Sequence, residues 1–266
     1  MDARQIFQTV TLLDGLVGVG ALTHTLPVDA SLAWLGMTQG ALTAACLCPR
    51  CGLVGPVLTR VDTPRPQVAL TFDDGPDRKL TPWVLDILAQ HRAKASFFCI
   101  GKKARLHPAH IRAIVEEGHS IENHSDRHSY RFALYGRHSQ AREIDRAQAS
   151  LADLSGQTPR FFRAPSGFRN PWLAPLLRAR GLQYAAWSHR GFDTKNPAPD
   201  AILKRLTHKL TAGSILLLHD GRSALDASGR PVLFHVLPAL LTHLTQLGLE
   251  AVSLPHLWDH RFRPSY

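Results

Sequence analysis

Two adjacent carboxylates end an apolar run of the chain: Asp73 and Asp74 follow Val68–Phe72 and precede Gly75-Pro76. Side chains alternate along a strand, but a turn at the strand end can direct both carboxylates toward one pocket. Two carboxylates held that close repel each other unless a cation or a shared proton compensates. A metal ion would take one as a ligand and leave the other as a base. The alternative is an acidic turn that only caps a strand.

A pair of histidines further along the chain could complete such a metal site. His124 and His128 have the i, i+4 spacing of one face of a helical turn, which suits two ligands of one metal ion. Because the chain has 15 histidines, about one such pair is expected by chance. We interpret His256 and His260 as the pair that arises by chance, because they lie in a terminal basic segment without a carboxylate cluster. Asp74 and the first pair supply three ligands and leave positions open for water, as a catalytic metal requires.

The elements that would position these residues alternate regularly after residue 67. Strand-like and helix-like runs follow one another, which predicts an α/β fold with a parallel sheet and helices outside it. Closed into a barrel, this order places the carboxyl end of every strand on one face, where such folds keep their chemistry. The predicted strands are Val68–Phe72, Ala95–Ile100, Ser120–Glu122, Phe161–Arg163, Leu182–Trp187, Ser214–Leu218 and Ala251–Leu254. The predicted helices are Thr81–His91, His107–Glu117, Gln140–Leu154, Asn170–Arg180, Pro199–Leu210 and Val232–Leu247.

Polar groups follow most of these strands, and five short motifs containing them resemble one known family. The motifs are Thr71–Gly75, His124–His128, Arg163–Gly167, Trp187–Thr194 and Leu216–Asp220. In this order they are similar to the motifs of the polysaccharide deacetylases of the NodB-homology type, carbohydrate esterase family four. The resemblance covers about Pro66 to Leu257. It implies an irregular (β/α) barrel with about seven parallel strands, similar to a TIM barrel.

The resemblance also implies a role for each polar residue of the motifs. Asp73 corresponds to the general base and Arg163 to the residue that holds this base. His219 corresponds to the general acid, with Asp193 tuning it. Asp74, His124 and His128 correspond to the ligands of a divalent metal ion, for which zinc is expected and cobalt, nickel or manganese are alternatives.

Two further residues are expected to contact the substrate. The backbone N–H of Ser166 could stabilise the oxyanion of a tetrahedral intermediate. Leu217, from an otherwise apolar strand, could line a small pocket for the acetyl methyl group.

The fourth motif departs from the pattern of the family. Arg190 stands where many members have an aspartate, and Thr194 stands where they have a tryptophan. Ser166 in the third motif also replaces a common aromatic residue. The aromatic wall that would hold a sugar ring is therefore missing, and the identity of the sugar stays open.

The expected function is a metal-dependent hydrolase that removes N-acetyl groups from a polysaccharide or a glycolipid. The expected partners are an acetylated glycan or a lipid-linked sugar. Alternatives with the same site are an O-acetyl esterase or a sugar deformylase, and a carbohydrate-binding relative without activity is a further one. The net charge of +10 and the pI of about 10.0 suggest an anionic neighbour, such as phospholipid head groups or a polyanionic glycan. Nucleic acid is not expected, because no base-stacking or groove-reading motif accompanies the charge.

Residues 1–57 differ from the rest and predict either a membrane hairpin or two helices packed on the barrel. Ile6–Leu26 is largely apolar but contains Asp14, and Ser31–Cys48 carries no charge. We therefore expect a protein associated with the membrane of the cell envelope, and the distribution of basic residues favours a barrel that faces the cytoplasm. The expected division is an apolar segment at 1–57, a linker at 58–67, the barrel at 68–257 and a basic tail at 258–266.

Overall fold

The computed structural model describes residues 3–261, and the eight strands in this part of the chain form one parallel sheet. The strand order is β5-β4-β3-β2-β1-β7-β6, and β8 pairs with β1 beside this path. The seven parallel strands along this path form a half-barrel, which confirms the predicted fold class. The strands are β1 (Gln67–Asp73), β2 (Ser96–Cys99), β3 (Ser120–Asn123), β4 (Phe161–Phe162), β5 (Gln183–Tyr184), β6 (His189–Arg190), β7 (Ile215–His219) and β8 (Glu250–Val252).

Ten α-helices are present within residues 3–261, and most of them connect successive strands of the sheet. They are α1 (Ala3–Leu22), α2 (Val28–Leu47), α3 (Leu80–Gln90), α4 (Gly101–Leu106), α5 (Pro108–Glu116), α6 (Arg137–Ser155), α7 (Leu173–Arg178), α8 (Pro199–Thr207), α9 (Leu233–Gln246) and α10 (Leu254–Asp259). Three of the ten, α4, α10 and the short α7, are only six residues long. Helices this short give little periodic signal, and α4 and α10 were not predicted.

Strand β1 lies at the centre of the sheet and is buried along its whole length. One apolar cluster fills the space between the sheet and the outer helices and includes Phe72, Phe97 and Leu240. A second cluster fills the other face and includes Phe98 and Phe162. Because both faces are covered, the run before Asp73 is almost continuously apolar, as is typical of parallel strands.

The two edge strands of the sheet, β5 and β6, follow each other closely in the chain. Only residues 185–188 separate them, so this short segment crosses from one edge of the half-barrel to the other. Leu58 pairs with it, since its N–H donates to the Tyr184 carbonyl (2.9 Å) and its own carbonyl accepts from Ala186 N–H (2.8 Å). The strand predicted at Leu182–Trp187 is therefore present as β5 but is shorter than predicted, and the strand β6 was missed.

The helices α1 and α2 form a hairpin that is joined by one half-buried carboxylate. Asp14 of α1 accepts hydrogen bonds from Trp34 Nε1 (3.1 Å), Thr38 Oγ1 (2.9 Å) and Gln39 Nε2 (2.7 Å) of α2. Large apolar side chains of the hairpin, such as Leu22 (83% exposed), face outward. Within the described residues, no helix combines the length and the apolar character that crossing a bilayer requires.

The chain after α2 packs against the barrel through Arg169, whose side chain is buried. Its guanidinium donates hydrogen bonds to the carbonyls of Gly55 (3.2 Å) and Cys51, and its N–H donates to the Cys46 carbonyl (3.0 Å). The division at residues 57 and 67 stays a prediction. So does the basic tail, because residues 262–266 lie outside the described part of the chain.

Candidate active site

The two adjacent aspartates lie at the carboxyl end of β1 and line the same cavity of about 720 Å³. Asp73 is the last residue of the strand and pairs in register with His219 at the end of β7. Asp74 leaves the strand with a φ of 71°, a left-handed conformation that turns its side chain away from the strand alternation. Gly221 lies against its backbone, where an added Cβ would be 1.9 Å from the Asp74 carbonyl oxygen. The strand end and the turn therefore bring both carboxylates into one site.

Arg163 holds Asp73 from below the cavity. Its Nη1 lies 2.6 Å from Asp73 Oδ1, and the Arg163 side chain is fully buried. The remaining donors bond to Thr71 Oγ1 (3.1 Å) and to the carbonyls of Ala185 (3.0 Å) and Ala186 (2.8 Å). Because four of the five N–H groups of the guanidinium are hydrogen-bonded, Asp73 is held in one orientation and its charge is compensated.

The two histidines approach Asp74 from a loop after β3. His128 Nε2 lies 3.0 Å and His124 Nε2 lies 3.5 Å from Asp74 Oδ1. The Nδ1–H of His124 donates to the Arg163 carbonyl oxygen (2.8 Å), so Nε2 of this ring carries the lone pair in the neutral form. Burial and the neighbouring His124 lower the pKa of His128 to about 4, which leaves the His128 ring neutral at pH 7.

The prediction that the histidine pair lies on a helical turn is wrong. Residues 124–128 form an irregular loop, in which Ser125 (φ 63°) and His128 (φ 52°) adopt left-handed conformations. The Ser125 hydroxyl accepts a hydrogen bond from the His128 N–H (3.0 Å) and holds the loop in this shape. The loop brings the two rings to a centroid distance of 4.8 Å. The predicted proximity is present, but a loop and not a helix produces it.

A divalent metal ion fits the group formed by Asp74, His124 and His128. One ligand atom from each residue lies within 4.8 Å of the other two. Asp74 Oδ1 is buried and accepts no hydrogen bond from any described residue, so a cation would satisfy it. Burial acts to raise the pKa of Asp74, but the rings of His124, His128 and His219 outweigh this effect and hold the pKa well below its usual range. One carboxylate and two imidazoles are the donor set of catalytic zinc and similar ions.

His219 and Asp193 form a buried pair on the other side of Asp73. His219 Nδ1 lies 2.9 Å from Asp193 Oδ1, and the His219 N–H donates to Asp193 Oδ2 (2.9 Å). Burial acts to lower the pKa of His219, but the Asp193 carboxylate outweighs burial and raises this pKa above its ordinary value. The ring can therefore carry a proton at neutral pH, with Nε2 as the remaining donor.

Ser166 and Leu217 also lie where the sequence predicts them, along the wall of the cavity. Ser166 has a φ of 58° in a turn after β4. Leu217 is buried in β7, two residues before His219 and on the same face of the strand. The structure thus brings all nine predicted site residues to one end of the sheet.

Other residues of the site were not predicted. Asp220 is fully buried behind Gly75, and burial raises its pKa to about 7. It accepts a hydrogen bond from Thr81 Oγ1 (2.5 Å), and Lys103 Nζ donates to the Asp74 carbonyl (2.7 Å). The only sequence signal for Asp220 is its position next to His219. Pro49 and Arg50 line the cavity although they precede the barrel, and no motif marks them.

Known proteins resemble this chain in sequence and in fold. The family model for polysaccharide deacetylases matches residues 60–185. A chitooligosaccharide deacetylase from Sinorhizobium fredii is 35% identical over 201 residues, which are 74% of this chain and 94% of that protein. A peptidoglycan-N-acetylglucosamine deacetylase from Bacillus cereus is 31% identical over 199 residues, with 73% and 89% covered. The solved structure of a family 4 carbohydrate esterase from Streptomyces lividans in complex with acetate is 31% identical, with a TM-score of 0.63 and coverage of 70% of this chain and 91% of that one.

Proposed function

The chain belongs to the polysaccharide deacetylase family and is a hydrolase of carbon–nitrogen bonds other than peptide bonds, and from this premise we propose that it removes N-acetyl groups from an acetylated glycan with the help of a divalent metal ion. Relatives named as deacetylases of chitooligosaccharide and of peptidoglycan N-acetylglucosamine support this substrate class. The observation that carries the proposal is the register of β1 and β7, which sets Asp73 beside His219. A candidate base and a candidate acid thereby flank one metal-binding group.

Asp74, His124 and His128 would hold the metal ion, and zinc is the ion that their donor set favours. When bound, such an ion polarises the amide carbonyl and lowers the pKa of a water molecule next to it. The Nδ1–H of His124 is anchored on the Arg163 carbonyl, which fixes the orientation of its Nε2.

Asp73 acts as the general base in this mechanism. Its Oδ1 is held by Arg163, while its Oδ2 faces the site at 3.8 Å from His124 Nε2. The free oxygen accepts the proton of the attacking water as the new carbon–oxygen bond forms. Because Arg163 stays charged throughout, the carboxylate keeps its orientation before and after this proton transfer.

His219 acts as the general acid. The Asp193 carboxylate accepts from Nδ1–H and favours the protonated ring, so Nε2–H is available to the leaving nitrogen. When the carbon–nitrogen bond breaks, this proton passes to the sugar amine and acetate remains. In this proposal the backbone N–H of Ser166 stabilises the oxyanion and Leu217 contacts the acetyl methyl group, and the position of both residues in the cavity wall supports these roles.

Acetate release by the metal-loaded full chain tests the proposal. N-acetylated, O-acetylated and N-formylated oligosaccharides of equal length are compared, together with a lipid-linked N-acetyl sugar. We expect release from the N-acetylated glycans to be the fastest. Faster release from the O-acetylated or formylated glycans would assign an esterase or a deformylase instead.

We also propose that residues 1–57 associate with a membrane surface. Exposed apolar side chains on both helices of the hairpin, such as Leu16 (59%), Leu32 (64%) and Met37 (66%), support this proposal. Full-length protein should sediment with lipid vesicles and resist extraction by high salt, because the attachment is hydrophobic. Release by salt, or no sedimentation, would contradict it.

A further inference from the structure

The cavity of the candidate site is lined by four cationic side chains beyond the predicted site residues, namely Arg50, Arg190, Lys195 and Arg222. We propose that they bind an anionic group, a carboxylate or a phosphate, that the substrate carries next to the acetylated sugar. The proposal rests on the deacetylation proposed above and narrows the class of glycan that undergoes it.

Among residues 3–261, these four cations have no acidic partner. None of them lies within ion-pair distance of a carboxylate in the part of the chain that the structure describes. The two carboxylates that line the cavity are engaged elsewhere, since Asp73 bonds to Arg163 and Asp74 faces the two histidines. The cavity therefore carries a surplus of positive charge, and a concave wall concentrates the field of such a surplus on what enters it.

Arg190 is the most constrained of the four. Its guanidinium lies 5.0 Å from the centroid of the Trp187 ring and 4.9 Å from that of Phe192. The two aromatic rings fix the plane of the guanidinium, which reduces the entropy lost when an anion binds. Its Nε is buried and donates to no acceptor among residues 3–261. A buried N–H without an acceptor is costly, and an oxyanion of the substrate would satisfy it.

The position of Arg190 places this anion close to the reaction centre. Strand β6 pairs with β7 so that Arg190 is in register with Leu217. Partners in register point to the same face of a sheet, and both of these residues line the cavity. His219 lies two residues after Leu217 and on the same face of β7. An anion on Arg190 therefore belongs to the reacting sugar or to its direct neighbour, and not to a distant part of a long polymer.

The other three cations are exposed and lie at the solvent-accessible edge of the cavity. Arg222 is held by its hydrogen bond to Tyr130 Oη, and Arg50 Nη1 donates to the Ser188 carbonyl (3.4 Å). Exposed charges contribute little binding energy individually and are screened by salt. We therefore assign the specificity to Arg190 and the long-range attraction to Arg50, Lys195 and Arg222.

The test compares three N-acetylated oligosaccharides of equal length on the full, metal-loaded chain. One is neutral, one has a carboxylate on the sugar next to the N-acetyl group, and one has a phosphate there. The measured quantity is the ratio of kcat/KM for each anionic substrate to that for the neutral one. We expect a ratio of about ten or more for at least one anion, since a hydrogen-bonded charge contributes about that factor. The larger of the two ratios identifies the carboxylate or the phosphate as the source.

Arg190→Gln should bring this ratio close to one, and Arg190→Lys should retain part of it because the charge remains. The matched control is Arg146→Gln, an exposed arginine of α6, which should keep the wild-type ratio. The preference of the wild type should also weaken at high salt, and this measurement does not depend on the folding of a variant. A wild-type ratio near one, or an unchanged ratio in folded Arg190→Gln, overturns the inference.

The two proposals fail in different ways. Acetate release at equal rates from all three substrates leaves the deacetylase in place and removes the anion site. No acetate release from any substrate contradicts the proposed function. In that case the binding of the same three glycans, measured by calorimetry, still decides the inference. Tighter binding of an anionic glycan than of the neutral one, with this preference lost in Arg190→Gln, supports the inference. Equal binding of all three glycans overturns it.

Discussion

The carboxylate of Asp73 and the guanidinium of Arg163 form a buried ion pair at 2.6 Å, with side-chain exposures of 5% and 0%. A buried charge is strongly destabilised when its partner is removed, because neither water nor another group replaces the lost interaction. The pair therefore serves the fold as well as the proposed base. This double role leads to two separate predictions.

Replacement of Arg163 should destabilise the protein strongly. Arg163→Met leaves the Asp73 charge buried and the carbonyls of Ala185 and Ala186 without their donor. We expect the free energy of unfolding in urea to fall by about 3–5 kcal/mol. The control is Arg160→Met, which breaks the exposed ion pair with Asp259 (2.7 Å) and should cost less than about 1 kcal/mol. Equal losses in the two variants would contradict a special role for the buried pair.

Replacement of Asp73 should separate catalysis from metal binding. Asp73→Asn keeps an oxygen for Arg163 and leaves the metal-binding group intact, but it removes the acceptor of the water's proton. We expect the metal content to be unchanged and kcat to fall by about 10²–10⁴-fold. The comparison is Asp74→Asn, which should lose metal and activity together. If Asp73→Asn released metal as readily, the two roles would be shared or exchanged.

The pH dependence of the reaction should report the pair of His219 and Asp193. A general acid must be protonated, so kcat falls as the pH rises through the pKa of His219, which the structure holds above its ordinary value. Asp193→Asn removes the charge that raises this pKa. The alkaline limb of the pH profile of kcat should therefore move to lower pH, measured with equal metal loading. A limb that stays in place would show that another group donates the proton.

Arg169 should hold the segment before the barrel in the position in which Pro49 and Arg50 line the cavity. Arg169→Met removes the donors to the carbonyls of Cys51 and Gly55, and an unsatisfied buried carbonyl such as that of Gly55 costs about 1–3 kcal/mol. We expect limited proteolysis to cut within residues 46–55, and kcat/KM to fall because Pro49 and Arg50 line the cavity. Arg178→Met, at an exposed position of α7, is the control and should leave both unchanged.

Resistance of residues 46–55 to protease in Arg169→Met would mean that the hairpin holds this segment without Arg169. The proteolysis and the kcat/KM of Arg169→Met also bear on whether a barrel that begins near residue 58 is active without the residues before it. A truncated protein with full activity would support the predicted division at residue 57.

The sequence was most informative where burial and chemistry coincide. The apolar run before Asp73 predicted β1, the centre of the sheet, because a strand buried on both faces has a continuous apolar sequence. The alternation of strands and helices then placed the following polar residues on one rim. All nine predicted site residues lie there, since the carboxyl ends of parallel strands necessarily meet at one edge.

What the sequence did not predict depends on irregular backbone and on distant segments. The left-handed conformations of Ser125 and His128 have no propensity signal, so a helical turn was inferred from spacing alone. Strand β6 has only two residues and exists because it pairs with β7. The contribution of Arg50 to the cavity depends on its contact with Ser188, 138 residues further along the chain, which a local pattern cannot contain.

The central claim is that Asp74, His124 and His128 bind the metal ion on which deacetylation depends. The most direct measurement is the metal content of the full chain after loading with zinc and removal of excess metal, together with acetate release from an N-acetylated oligosaccharide. The wild type and His256→Ala should each bind one ion per chain and release acetate, because His256 lies on α10 outside the cavity. His124→Ala should lose both the ion and the activity. An undiminished metal content in His124→Ala would contradict the account.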